Sequence, residues 1–151
     1  MTPPTESTVP AVPAVPAGPA VPVAPAATDP RVLCDARVPA DAGPDPSGVL
    51  WKLTEAGRQL DANLVRLSPG SRIAPHAEAD LDVLLLVVSG DGVLGAGATE
   101  EPRPLAEGAV VWLPHGSTRA LTAGTDGLAY LTVHRRRPGM RIRPYTGGSA
   151  R

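Results

Sequence analysis

The chain of 151 residues contains no phenylalanine, and only 3% of it is aromatic. Any interior must therefore be filled by Leu and Val. Cysteine occurs once, at Cys34. A lone thiol excludes an internal disulfide, and no CxxC or Cys/His cluster surrounds it to hold zinc. No His lies close in sequence to activate it, so Cys34 reads as a small buried or half-buried residue near a first strand. Long apolar runs are missing too: none reaches the roughly 18 residues that a membrane-spanning helix needs. The N-terminus has no basic segment followed by a Leu-rich one, and its prolines would break a signal helix. The expectation is a cytoplasmic protein with no membrane partner. An excess of charge of one sign is also absent, because 14 Lys plus Arg meet 15 Asp plus Glu for a net charge of −1. No global field favours nucleic acid. The Arg135-Arg136-Arg137 run has no interleaved aromatics and reads as a solvated tail, so no nucleic-acid partner is expected.

Proline is abundant and unevenly placed. Met1–Pro30 is a low-complexity Pro/Ala/Val tract (Val9-Pro10-Ala11-Val12-Pro13-Ala14-Val15-Pro16 and more of the same). Pro removes amide donors and fixes φ, so this tract is expected to be an extended, disordered tail without a core. The division expected is a tail over 1–30, one domain over 31–138, and a flexible basic tail over 139–151.

From Val49 onward short apolar segments alternate with turn signals, and no helical period is sustained. Strands are expected near Val49–Leu53, Leu60–Leu67, Arg72–Pro75, Asp82–Ser89, Val93–Ala96, Ala109–Leu113, Arg119–Thr122 and Leu128–His134, with Arg31–Val38 as a first edge strand. Turns are expected at Ser68-Pro69-Gly70, Ser89–Gly92, Pro114-His115-Gly116 and Gly124–Gly127. Many short strands at regular spacing indicate a sandwich or barrel. Val83–Val88 is apolar at every position, which calls for cover on both faces. A barrel interior covers one face, and a second sheet or a partner subunit must cover the other. A homodimer is the expectation.

Two spacings carry more specific information. Gly70 is followed after five residues by His76, then by Glu78, and Gly90 closes the segment. Gly108 is followed by Pro114 and Gly116, with Arg119 three positions on. This pair of frameworks resembles the two sequence motifs of the cupin superfamily, over roughly Val49 to His134. The resemblance implies an all-β fold, the double-stranded β-helix or jelly-roll barrel. It also implies the positions at which cupins hold a divalent metal with three His and one Glu. His76 matches one of them. Glu78 replaces the second His, Val83 stands at the Glu position with Asp82 one residue early, and Arg119 replaces the last His. Ala123 replaces a common Asn.

The ligand set is thus degenerate. Arg119 has no acceptor and would repel a divalent ion, so no metal cofactor is favoured, and Arg119 is expected to pair with Glu78. Asp82 can stand in for the missing Glu only if a bulge reverses its face. The reading that follows is a small-molecule binder for a polar or anionic ligand. Arg119 is its anchor, His76 and Glu78 its polar companions, and Leu85, Val87, Leu121 and Trp112 its apolar walls. One alternative is an enzyme, either a metal-dependent oxygenase or isomerase using His76, Glu78 and His134, or a metal-free isomerase with His76 and Glu78 as acid and base. Another is a non-catalytic scaffold. His115 is expected on an exposed rim; His134 shares a face with Tyr130 and Thr132 that either lines a wet pocket or, the favoured reading, is the solvent side. Trp112 is expected in core or interface packing. Asp61 and Asn63 share a face that either lines a pocket or meets water.

Overall fold

A computed structural model of the chain describes residues 28–40, 47–95 and 101–137. Most of the Pro/Ala/Val tract and the basic C-terminal tail lie outside the described residues. After a one-turn helix α1 (Arg37–Ala40), seven strands follow: β1 (Gly48–Lys52), β2 (Leu60–Leu67), β3 (Arg72–Ala77), β4 (Val83–Gly95), β5 (Arg103–Ala106), β6 (Val110–Leu113) and β7 (Thr118–Arg135). All pairings are antiparallel.

The architecture rests on two long strands that each serve two layers. The first part of β4, Val83–Leu86, pairs with β6, and its later part, Asp91–Leu94, pairs with β5. Likewise β7 gives its later part to β2 and its earlier part to β3. The central β4–β7 pairing bends at two register shifts, between Val87 and Ser89 and between Gly90 and Gly92. There the connected sheet turns over, and its halves pack face to face as a jelly-roll barrel.

This corner corrects one expectation. Ser89–Gly92 and Gly124–Gly127 are not turns between separate strands, because β4 and β7 run through them. Gly90 adopts φ 75°, and a Cβ there would lie 2.1 Å from the Gly127 carbonyl oxygen. Only glycine permits both the left-handed backbone and the close approach, so the chain bends without losing its pairing. Two other expectations also change. Arg31–Val38 forms no strand, so Cys34 is exposed rather than buried, and the segment runs irregularly into α1, whose Ala40 is buried and whose Ala40 carbonyl accepts a 2.9 Å bond from Arg66. The short strand β5 carried no sequence signal that we recognised.

The core is aliphatic, as the absence of Phe requires. Val83, Leu85 and Val87 from β4 meet Leu113 of β6, and Leu121, Leu128 and Tyr130 of β7. Leu85, Val87 and Leu128 are each 1% exposed. The intervening Leu84 and Leu86 point outward at 48% and 36% exposure. The barrel therefore covers one face of the Val83–Val88 run, and strand alternation leaves the other turned away from it.

Candidate ligand-binding site

Alternation along β7 brings Arg119 and Leu121 inward in the first half and Tyr130, Thr132 and His134 in the second. Together with β3 and the first part of β4, these residues enclose a cavity of about 180 Å³ inside the barrel. Ile73, Leu81, Val83, Leu85, Leu94 and Leu113 supply its apolar wall. His76, Glu78, Arg119, Thr132 and His134 supply its polar groups.

Arg119 is the unusual member. It is only 6% exposed, and its Nη1 has no hydrogen-bond partner among the described residues. It sits on β7 opposite His76 of β3. A bulge between Ile73 and His76 spans Pro75, which has no amide proton to give to the ladder.

The expected Arg119–Glu78 pair does not form. Glu78 follows the end of β3, and its carboxylate instead accepts from Arg137, which lies just beyond β7, and from the Asp80 backbone N–H at 3.3 Å. The Glu78 carbonyl is also fixed, accepting from the Gly116 N–H at 2.6 Å. These contacts hold Glu78 away from Arg119.

The imidazoles are oriented by backbone carbonyls. His76 Nδ1 lies 3.0 Å from the Ala74 carbonyl, and His134 Nδ1 lies 2.9 Å from that of Arg135. A carbonyl only accepts, so each Nδ1 carries the proton and donates, which leaves each Nε2 available to a ligand. Burial pushes the Tyr130 phenol up to about 12, so it is neutral at physiological pH.

Other expected positions resolve differently. His134 lines the cavity mouth rather than the solvent side, because β7 keeps the phase of Tyr130 and Thr132 to its end. Trp112 does not line the cavity. Leu113 points inward, so its neighbour Trp112 must point out, and it is 66% exposed, which excludes core packing and places it on the outer surface that the interface alternative would use. Leu121 and Leu85 are cavity walls, whereas Val87 belongs to the packed core. Asp61 and Asn63 line a separate shallow polar recess with Lys52, Arg58 and His134, where Asp61 accepts from Arg58 Nε at 2.9 Å. His115 is on the exposed rim as expected. Its backbone N–H and its Nδ1 both reach Asp82 Oδ1, at 2.9 and 2.7 Å. The backbone N–H, and then the ring, hold the Asp82 carboxyl below the usual carboxylate range. Asp82 therefore faces the rim, no bulge reverses it, and it does not replace the missing Glu. Tyr130 and Thr132 line the cavity with His134, the less favoured of the two readings of that face, and Arg137, read as part of a solvated tail, pairs with Glu78.

The donor set does not suit a metal. Among the described residues no three His, Cys, Asp or Glu side chains are grouped to hold an ion. His76 and His134 offer one nitrogen each, Arg137 occupies Glu78, and a buried guanidinium shares the space.

No family model matches this sequence, and no curated protein matches it either. Solved structures do match. A Bacillus halodurans protein is 16% identical and superimposes with a TM-score of 0.58 over 77% of this chain and 89% of its own. A cupin-2 domain protein of Shewanella frigidimarina is 15% identical, with a TM-score of 0.53 over 69% of this chain and 95% of its own. A double-stranded β-helix protein from Klebsiella pneumoniae is 14% identical, with a TM-score of 0.56 over 68% and 83%. The chain has the cupin fold. Identities this low carry architecture and no activity. Within this cupin barrel the cavity occupies the interior, and no described helix is long and apolar enough to cross a membrane.

Proposed function

We propose that this cupin barrel binds a small anionic molecule with an apolar body, and that binding needs no catalytic metal. One observation carries the reading: a buried guanidinium whose Nη1 has no partner among the described residues. An isolated buried charge is destabilising by several kcal/mol, on the order given for ions after relaxation, unless a counter-charge is present. An anion in the cavity supplies that counter-charge and accepts directly from Nη1. Leucines and valines enclose the rest of the ligand, and His76 and His134 line the same cavity, where a neutral Nε2 can accept from a ligand O–H or N–H. At about 180 Å³ the space is below the roughly 300–1,000 Å³ of drug-sized pockets, so the occupant is small. The engagement of Glu78 by Arg137 favours binding over acid–base isomerisation, because the carboxylate a proton shuttle needs is already taken.

The test is a thermal-shift panel of small monocarboxylates, dicarboxylates and inorganic phosphate, read against Arg119→Met. A ligand at 100 times its Kd adds about 2.7 kcal/mol. At least one anion should raise the melting temperature of the wild type by several degrees and leave the variant unmoved. Equal shifts in both proteins would refute Arg119 as the anchor.

A further inference from the structure

Arg119 borders a second space that the barrel reading does not use. β5 and β6 follow each other along the same side of β4 but pair with different parts of it. No pairing joins them to each other among the described residues. Among the described residues a cavity of about 240 Å³, the seam, lies beside these two strands. Arg119, Leu94 and Leu113 line this cavity and the interior one alike. The remaining groups are chemically selective. Among the described residues that line it, Arg103 and Arg119 bring two positive charges against the single carboxylate of Glu101, a surplus of one. Thr118 adds a hydroxyl, and Trp112 adds the largest exposed aromatic surface of the described chain. An exposed indole beside a buried, unpartnered guanidinium combines a stacking face with an anion anchor.

We propose that the seam is a second binding site, for a planar aromatic monoanion of the aryl carboxylate class. The carboxylate is held between Arg103 and Arg119, and the ring lies against Trp112. The surplus of one positive charge selects a monoanion, and the indole selects a ring over an aliphatic chain. Because Arg119 faces both spaces, an anion in the seam and an anion in the barrel compete for it.

Trp51→Phe removes the only other tryptophan, so intrinsic fluorescence then reports Trp112 alone. Benzoate should change that emission saturably. Acetate lacks the ring and benzyl alcohol lacks the charge, and neither should do so at the same concentration. Phenyl phosphate, with a second negative charge facing Glu101, should bind more weakly than benzoate. Arg103 is exposed, so Arg103→Met should fold normally and weaken benzoate binding about tenfold, the equivalent of one charge-assisted hydrogen bond. No saturable response to benzoate, or a response unchanged by Arg103→Met, overturns the seam site. If carboxylates still shift the melting temperature through Arg119 in that case, the barrel reading stands without the seam. A benzoate response that depends on both Arg103 and Arg119, with no aliphatic carboxylate or phosphate shifting the melting temperature, supports the seam and removes the barrel reading.

Discussion

Replacing Arg119 by methionine should stabilise the ligand-free protein. The side chain is 6% exposed and its Nη1 has no partner among the described residues. An unsatisfied buried donor costs about 1–3 kcal/mol, and more when it is charged. Removing Arg119 strands no carboxylate, because Glu78 is held by Arg137 and the Asp80 amide. Methionine keeps an unbranched apolar stem among Leu94, Leu113 and Leu121, so the loss of packing is small. The balance is a gain of about 1–3 kcal/mol. For a domain of this size each kcal/mol moves the melting temperature by about 4–8 °C. Urea unfolding at neutral pH should show a higher midpoint with an unchanged slope, which marks a change in stability rather than in the unfolded state. Arg119→Ala is not equivalent, because it also empties the space filled by the stem. The gain should coincide with loss of anion binding, the trade expected where a site holds an uncompensated group for its ligand. A methionine variant less stable than the wild type, at the same slope, would refute the argument: the guanidinium would then be satisfied within the free protein.

Three further outcomes follow from the same geometry. Gly90→Ala should destabilise by at least about 2 kcal/mol in chemical denaturation, since the added Cβ meets a backbone carbonyl at 2.1 Å with φ at 75°. His115→Ala should return the Asp82 carboxyl only part of the way to its ordinary value in an NMR titration, because the backbone N–H, which the substitution keeps, is the larger cause. A lowered carboxyl pKa favours the native rim above the unfolded value and loses that contribution as pH falls through the folded one, so the rim contact should open only on strong acidification. We propose that a second copy covers the outward row of Leu84, Leu86 and Val110, exposed at 48%, 36% and 63%, and because Trp112 stands opposite Leu84 this contact competes with a ring on the indole at the seam. Light scattering should then give twice the mass of one chain, and Leu84→Glu should halve it.

The pattern of local chemistry along the chain was enough for the fold class, most strands, and the Ser68–Gly70 and Pro114–Gly116 turns. These follow from period-two alternation and from residues that supply the required φ, both of which are nearest-neighbour properties. The resemblance to the two cupin motifs implied that His76, Glu78, Arg119 and Leu121 share one cavity, and they do. What it could not set was the partner of each group. Whether Glu78 meets Arg119 or Arg137 depends on where the chain beyond β7 passes the end of β3, a juxtaposition of residues 59 apart in sequence. Whether Gly90 and Gly127 end strands or bend them depends on each facing the other across the β4–β7 pair. The inward or outward turn of Trp112 depends on the phase that Leu113 takes against Val83. Sequence alternation limits each side chain to one of two faces, and only the packed barrel decides which face is interior and which polar groups are left without a partner there.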